Sequence, residues 1–280
     1  MSGKRGFKVY GIIGIILIIL TEINFFFKVQ PFANWYFPII WFSYILLIDA
    51  LVYKLKGDSL LSNRRYSIMG MFVMSALFWY LFELTNLSIR NWSYSGTEGL
   101  GLAGKAIFGI LSFSTVLPAL FETTELIRAI HLFDNKKLKK KHSITKFFIH
   151  TMIAIGIICL ILPIFFPKFA FPLVWLSFFL IIDPINYIHK MPSVIGHLKD
   201  RRLSIPLSLL LAGIILGFFW EFWNYWAVPK WTYDIPFVNF FKIFEMPVLG
   251  YLGYFPFAFE LYAMYWFVRS LFIHKEHLLE

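Results

Sequence analysis

Two glutamate–asparagine pairs are the residues of this chain whose types and spacing best suit chemistry. Glu83 and Asn86 stand three positions apart, and Glu221 and Asn224 repeat that spacing. Residues three apart share one face of a helix. A carboxyl group can act as a general acid or base, and an asparagine amide can donate two hydrogen bonds to a ligand and accept two. Each pair predicts a polar site on a helix face, with a structural and a functional role both open.

Further acidic residues lie inside long hydrophobic runs. A charged Asp at the centre of a membrane-spanning helix costs about 2.5–3.5 kcal/mol, so such residues normally face the interior of the helix bundle and are candidates for function. The predicted catalytic acids are Glu83, Glu122, Glu221 and Glu260. A structural or secondary role is predicted for Asp49, Asp183, Glu125 and Glu245. Asp49 and Asp183 lie close to basic loops. This position favours helix capping or pairing with arginine.

Aromatic residues gather beside both glutamate–asparagine pairs. The segments Asn91-Trp-Ser-Tyr94 and Lys230-Trp-Thr-Tyr233 follow them, and the second pair lies in the run Trp220–Trp226. Aromatic rings can line a cavity for an apolar or cationic molecule, although membrane packing and an interfacial aromatic belt also explain them. The predicted ligand-binding residues are Asn86, Trp92, Tyr94, Trp220, Trp223, Asn224, Trp231 and Tyr233.

Membrane-spanning helices must position these residues. Of 280 residues, 59% are hydrophobic and 15% are charged, against about 25% charged in an ordinary soluble domain. A helix needs about 20 mostly apolar residues to cross a bilayer. The hydrophobic runs predict eight spans, at residues 9–28, 35–54, 66–88, 105–132, 147–166, 170–189, 204–226 and 247–272. The sequence predicts an all-α polytopic protein in contact with membrane lipids.

The positions of the basic residues predict the orientation. With eight spans, 20 of the 26 lysines and arginines fall on the side that holds both termini. Cytoplasmic loops carry this excess, so we expect both termini in the cytoplasm, in a bacterial inner or cell membrane. The net charge of +10 is then a topology signal and does not indicate a nucleic-acid partner.

The chain also contains an internal duplication. Residues 37–53 and 171–187 share eight of 17 residues at an offset of 134. Further matches at offsets of 137 to 139 pair Glu83 with Glu221, Trp92 with Trp231, and Pro118 with Pro256. We predict two four-helix repeats, 1–135 and 142–280, joined by a basic cytoplasmic linker at 136–141. Four spans per repeat give both copies one orientation, related by a pseudo-twofold axis along the membrane normal.

Several classes of site are disfavoured. The single cysteine, Cys159, cannot form an internal disulfide and lies in an apolar run. The seven histidines form no HExxH or HxxxH pair, so zinc proteases and membrane di-iron enzymes are unsupported. No metal and no cofactor is predicted. The oligomeric state is left open.

Part of the second repeat resembles integral-membrane carotenoid enzymes of the lycopene cyclase and carotenoid hydratase groups. The resemblance covers residues 221–265, with Glu221, then Trp231-Thr-Tyr233, then Met246-Pro-Val-Leu and a final aromatic-rich helix. The Pro-x-Glu-Glu signature of the cyclases is absent, since Pro256 is followed by Phe-Ala-Phe-Glu260. The whole chain also resembles bacterial polytopic membrane proteins with WEFWNYW and FEMP segments. The first resemblance implies an isoprenoid ligand.

Two main functions remain open. The first is binding of, or acid chemistry on, a long apolar isoprenoid or lipid, as in a lyase or isomerase. The second is a proton- or cation-coupled transporter or channel with paired carboxylates near the pseudo-twofold axis. A structural membrane protein is a third interpretation.

Overall fold

A computed structural model describes residues 6–140 and 143–272. Within these ranges the chain forms helices α1 (Val9–Phe27), α2 (Tyr36–Lys56), α3 (Leu60–Asn63), α4 (Arg65–Ile89), α5 (Gly101–Ser114), α6 (Val116–Ala129), α7 (Lys146–Phe165), α8 (Pro167–Ala170), α9 (Val174–Ile188), α10 (Val194–Lys199), α11 (Ser204–Trp226) and α12 (Tyr254–Phe272). Short strands are β1 (Trp92–Ser95), β2 (Lys230–Tyr233), β3 (Lys242–Ile243) and β4 (Met246–Pro247). Lys4, Arg5, Lys141 and Lys275, which enter the charge argument, lie outside the described residues.

Seven helical segments of the described chain are long and apolar enough to cross a membrane. They are Val9–Phe27, Tyr36–Lys56, Arg65–Ile89, Glu98–Ala129, Lys146–Phe165, Pro167–Ile188 and Ser204–Trp226. The outer faces of α1 and α7 expose rows of isoleucine, among them Ile16 and Ile158. Such surfaces suit hydrocarbon. The protein is therefore predominantly helical, with the composition of a polytopic membrane protein.

The last helix, α12, lies in the interior of the bundle. It begins at Tyr254, later than the predicted start at 247, because residues 248–253 form a 3₁₀ turn. Tyr262, Tyr265 and Trp266 on this helix are at most 1% exposed. Tyrosines and charged residues keep its mean hydropathy low, and the surrounding helices cover it. The eighth predicted span, at 247–272, is therefore not among the seven described segments that are long and apolar enough to cross a membrane, and it stays a prediction.

A proline divides the fourth predicted span into α5 and α6. Proline lacks an N–H and clashes with the carbonyl four residues earlier, so Pro118 ends the first helix at Ser114. The hydroxyl of Ser75, on α4, donates to the carbonyl of Phe113 at 2.5 Å and accepts from the N–H of Leu117 at 2.9 Å. An unbroken helix would join those two groups directly. Ser75 thus satisfies the backbone at the break.

Two short helices at the same end of the bundle are capped in the same way. Ser59 caps α3 and Ser193 caps α10, each accepting the backbone N–H three residues later. Asp49 accepts the second N–H of α3 at 2.8 Å. Asp183 accepts the first two N–H groups of α10 at 2.7 and 2.9 Å. Both buried aspartates therefore satisfy helix N-termini, where negative charge is favourable.

A buried histidine fastens α10 to α12. The Nε2 atom of His197 lies 2.9 Å from the hydroxyl of Tyr262. Burial, together with the charges of Arg202 and Arg128, lowers the pKa of His197 to about 4. The imidazole is therefore neutral at pH 7 and serves as an uncharged hydrogen-bonding group.

A two-stranded ribbon at the opposite end departs from the all-helical prediction. Strands β1 and β2 pair antiparallel, with partners Trp92–Tyr233, Ser93–Thr232, Tyr94–Trp231 and Ser95–Lys230. Each strand follows a long helix, α4 or α11, after a short connection. The ribbon therefore joins the first and second halves of the chain above the ends of those helices.

Candidate functional site

Asn86 and Asn224 fix the ribbon to α4 and α11. Asn86 Nδ2 donates to the carbonyl of Trp92 at 2.8 Å, and its Oδ1 accepts from the N–H of Asn91 at 2.9 Å. Asn224 Nδ2 donates to the carbonyl of Trp231 at 2.8 Å, and its Oδ1 accepts from the N–H of the same residue at 2.9 Å. Both amides, predicted to contact a ligand, are engaged with the backbone. They position the aromatic residues of the strands.

The carboxyl group of Glu83 collects aromatic donors. Its Oε1 atom accepts from Trp79 Nε1 at 2.9 Å, Trp92 Nε1 at 3.0 Å and the hydroxyl of Tyr94 at 2.5 Å. Trp79 stands four residues before Glu83 on α4, whereas the other two donors lie on β1. The ribbon thus completes the surroundings of this acid.

Glu221 has a comparable environment in the second half. Its Oε1 atom accepts from the hydroxyl of Tyr233 at 2.8 Å and from that of Tyr254 at 2.6 Å. Trp231 Nε1 donates to the Tyr233 hydroxyl at 2.7 Å. The Glu221 side chain is 0% exposed, and its Oε2 has no hydrogen-bond partner among the described residues. One oxygen is therefore held in place while the other is uncommitted.

One hydrogen-bond donor of Glu83 lies on α4, whereas the donor in the equivalent place at Glu221 lies on α12. In the alignment that pairs Glu83 with Glu221, Trp79 corresponds to Gly217. A Cβ atom on Gly217 would lie 2.4 Å from Cδ2 of Tyr254. The glycine therefore leaves the space in which Tyr254 approaches Glu221, where Trp79 approaches Glu83 in the first half.

A cavity of about 420 Å³ lies beneath the ribbon. Both halves contribute to its wall, which is formed largely by aromatic rings. Of the predicted ligand-binding residues, the wall includes Trp92, Tyr94, Trp220, Trp231 and Tyr233. Tyr254 also lines it. The tyrosines that bind Glu83 and Glu221 thus separate the two acids from the cavity.

The strand tyrosines are neutral donors. Burial and the neighbouring Glu221 carboxyl raise the pKa of Tyr233 well above its usual value. Burial and Glu83 act in the same direction on the pKa of Tyr94. Each hydroxyl keeps its proton at neutral pH, and each lies between a carboxyl group and an apolar cavity. The arrangement can hold the carboxyl groups of Glu83 and Glu221 at a fixed position relative to a molecule bound in the cavity.

Trp223 serves a different contact from Trp220. Its Nε1 donates to Glu22 Oε1 at 2.9 Å, which links α11 to α1. Its ring packs on Trp41 with centroids 4.8 Å apart. Trp223 therefore lies in the packing between the halves, outside the cavity wall, although sequence analysis grouped it with the ligand-binding residues.

Glu122 and Glu260 are buried away from this cavity. Glu260 Oε1 accepts from the N–H of Phe178 at 2.8 Å, near the start of α9. Glu122 faces Asp49 and is 0% exposed. Neither residue lines the cavity beneath the ribbon. Glu83 and Glu221 do not line it either, but they reach its wall through the tyrosines that they bind. The structure therefore associates these two acids with the cavity and leaves the other two predicted catalytic acids elsewhere.

Glu125 and Glu245 are both paired with basic residues. Glu125 contacts Arg64 at 2.7 Å and Lys56 at 2.9 Å. Glu245 Oε1 accepts from Lys230 Nζ at 2.6 Å. Within residues 6–140 and 143–272, no group of His, Cys, Asp and Glu is arranged to hold a metal ion.

Two residues of the site were missed by sequence analysis. Trp79 is detectable in principle, because it stands four residues before Glu83 and that spacing brings side chains together on a helix. Tyr254 gives no such signal, since 33 residues separate it from Glu221.

Comparison of the chain with protein-family models, curated proteins and solved structures finds no match. The function must therefore be inferred from the cavity, its tyrosine hydroxyls and the two acids behind them.

Proposed function

We propose that the protein binds a long apolar molecule of the isoprenoid or lipid class beneath the ribbon and acts on it by acid chemistry. The observation that carries this proposal is the aromatic cavity of about 420 Å³, walled by Tyr233 and Tyr254. Cavities of roughly 300–1,000 Å³ with a few convergent polar groups are typical small-molecule sites. The resemblance of residues 221–265 to carotenoid enzymes favours an isoprenoid.

Glu221 is the acid that best fits this function. Two tyrosine hydroxyls fix one of its oxygens, and the other oxygen has no partner in the described chain. A proton released or taken up at the ligand would be exchanged with Glu221 through the Tyr233 or Tyr254 hydroxyl. Glu83 would serve the same role in the first half. Proton exchange without redox or group transfer corresponds to a lyase- or isomerase-type reaction.

Leu249 and Leu252, in the 3₁₀ turn of residues 248–253, line the cavity and are 52% and 59% exposed. We infer that the cavity opens beside this turn. In a membrane these residues would face lipid. An apolar molecule could therefore enter sideways from the bilayer.

Obstruction of this opening tests the binding function. We expect Leu252→Trp to reduce the apolar molecule that co-purifies with the protein at least several-fold, because an indole would occupy the mouth. Leu84→Trp is the matched control, since Leu84 is 63% exposed and lies outside the cavity wall. Mass spectrometry of organic extracts measures both. Equal amounts from the two variants and the parent would contradict the proposal.

Proton- or cation-coupled transport is the second candidate. It is favoured by Glu122, which lies fully buried beside Asp49, with no donor on either of its oxygens in the described chain. Liposomes that contain the parent protein would then take up protons down a gradient, and Leu252→Trp would leave that uptake intact. Ligand binding without transport predicts no proton uptake by the parent and a loss of the co-purified molecule in this variant.

We also propose that α12 is an eighth span and that the chain is two four-helix repeats. Equivalent contacts in the two halves support this, because an aspartate caps each of α3 and α10 and an asparagine holds each of β1 and β2. The ribbon register also supports it. A twofold rotation about the Ser93–Thr232 pair would place the Trp92–Tyr233 pair on the Trp231–Tyr94 pair. A twofold axis through that pair would relate the halves, 1–135 and 142–280.

Eight spans place both termini on one side of the membrane. From the excess of basic residues on that side we propose a cytoplasmic location, in a bacterial cell membrane. A phosphatase reporter, active only outside the cytoplasm, is expected to be inactive at the C-terminus and active when inserted at Thr97. Activity at the C-terminus would contradict either the eighth span or the orientation.

A further inference from the structure

Six phenylalanine side chains at the ribbon end of the bundle are between 52% and 82% exposed. They belong to the segment that ends α7 and forms α8 and to the loop that follows β2, and we call them the phenylalanine patch: Phe165, Phe166, Phe169, Phe237, Phe240 and Phe241. The two segments meet where the ring of Phe169 stacks on that of Phe237, with centroids 5.4 Å apart. A large exposed apolar patch marks a surface that contacts a partner or a membrane.

The backbone of the loop is strained at Phe237 and Phe241. Their φ angles are +65° and +48°, in the left-handed region that bulky residues rarely adopt. Phe244 shares this conformation at +58°, but its ring packs on Phe218 and Phe222 of α11. The rings of Phe237 and Phe241 stay largely exposed. Strain of this kind clusters at functional sites, so these two rings indicate a contact outside the chain.

The patch continues the exposed apolar face of α7. Ile158, Ile161 and Ile164 are exposed along that helix, which is long and apolar enough to cross a membrane. Their spacing of three places them along one face. Phe165 ends the helix, and Phe169 carries the apolar surface to the loop through its ring stack. The surface that suits hydrocarbon along the helix is therefore continuous with the patch.

The loop itself does not suit the hydrocarbon core. Residues 234–241 form neither helix nor strand, and lipid-exposed irregular backbone does not occur in that region because its polar groups would be unsatisfied. Lys168 and Lys242 are also exposed beside the patch, and Lys168 Nζ lies 5.3 Å from the centre of the Phe237 ring. A lysine stem can lie along apolar surface while its charge stays in water. Apolar rings, polar backbone and lysines together suit the boundary between headgroups and acyl chains.

The same loop contributes to the wall of the cavity. Ile235 and Val238 line the cavity, whereas Phe237, between them in the chain, is exposed. Met246, which follows the loop in β4, also lines the cavity. The position of the loop in the membrane therefore sets the depth of this part of the cavity wall.

We propose that the phenylalanine patch is an interfacial anchor, whose partner is the phospholipid leaflet at the ribbon end of the bundle. Its rings insert at the headgroup–acyl boundary, and Lys168 and Lys242 lie at the level of the phosphates. The anchor holds the loop, and the cavity wall behind it, against that leaflet. The inference is independent of the proposed binding function, because insertion of the patch requires no ligand in the cavity.

A fluorescent label at position 241 tests the anchor. The single cysteine, Cys159, is first removed as Cys159→Ala, and Phe241→Cys is then labelled with nitrobenzoxadiazole in phosphatidylcholine nanodiscs. Ser95→Cys is the matched control, because Ser95 is exposed at the end of β1, outside the patch. Apolar faces of interfacial segments lie about 5–10 Å into the boundary, so we expect a nitroxide near the top of the acyl chain to quench the label at 241 at least about threefold more than at 95.

Iodide in the aqueous phase supplies the opposite measurement, and we expect it to quench the label at position 95 more strongly than at 241. Equal access of iodide to both labels, without the excess of nitroxide quenching at 241, would overturn the anchor. Protection of the label at 241 from both quenchers would also overturn it, because the patch would then be covered by protein. Phe169→Cys, labelled in the same way, repeats the test from the other segment of the patch, and the same excess of nitroxide quenching is expected there.

Discussion

Replacement of Glu125 by glutamine is expected to lower the free energy of unfolding by about 3–5 kcal/mol, the usual cost of removing one partner from a buried ion pair. Glu125 is 1% exposed. It accepts from both terminal nitrogens of Arg64, at 2.7 and 2.9 Å, and from Lys56 at 2.9 Å. A glutamine keeps one acceptor but removes the negative charge. The Arg64 side chain, only 16% exposed, would then keep its ion pair with the half-exposed Asp58 at 3.2 Å but lose the charge of its buried partner.

The measurement is thermal unfolding in detergent, followed through the loss of helical signal. Glu98→Gln is the control, because Glu98 is exposed and a surface change of this kind usually alters stability by less than about 0.5 kcal/mol. Removal of Arg64 as well, in Arg64→Met with Glu125→Gln, should recover much of the loss, since no buried guanidinium then remains beside the uncharged glutamine. A Glu125→Gln variant that melts with the parent would show that the pair contributes little.

From the proposed function we expect Glu221→Gln to reduce conversion of the ligand at least about a hundredfold, because general acid–base catalysis typically contributes about 10²–10⁴-fold. Glutamine still presents Oε1 to the hydroxyls of Tyr233 and Tyr254, and its amide nitrogen takes the place of the unpartnered Oε2. The fold is therefore retained while the exchangeable proton of the acid is lost. Product analysis by mass spectrometry, beside the melting temperature of each variant, separates these two effects.

The other predicted catalytic acids locate the site. Glu83→Gln should reduce conversion less than Glu221→Gln does. Three donors already bind Glu83 Oε1, and one of them, Tyr94, lies on the more exposed strand β1. Loss of activity in Glu260→Gln, with Glu221→Gln fully active, would move the acid chemistry to the start of α9. A melting temperature far below that of the parent in Glu221→Gln would mark this carboxyl group as structural.

Local patterns in the sequence predict the helices well because hydrophobic runs and caps act over a few residues. Most predicted spans match described helices within a few residues. Asp49 and Asp183 accept N–H groups at the starts of α3 and α10, and helix capping was one of the two structural roles expected for them. Pro118 was visible in the sequence, but the division into α5 and α6 depends on Ser75 from another helix. The start of α12 was misplaced because an apolar 3₁₀ turn has the composition of a span.

The site was harder to predict because its contacts are non-local. Tyr94 and Trp231 pair across the ribbon although they belong to opposite halves of the chain. No short-range propensity predicts such a pairing. The spacing of Glu83 and Asn86 predicted that both side chains share one helix face, and in the structure the asparagine amide donates to the backbone of β1. The volume beneath the ribbon depends on how rings from many segments pack, which no single segment encodes.

The ribbon has a consequence for how this protein can change. Its strands are joined by main-chain groups, and the asparagines that support it also bind main-chain groups. These links are indifferent to the identity of most side chains along the strands. The side chains that face the cavity can therefore be substituted while the ribbon above them keeps its backbone conformation. Under the proposed function, a scaffold of this kind would let ligand selectivity diversify between descendants, or be redesigned in the laboratory, without rebuilding the helix bundle.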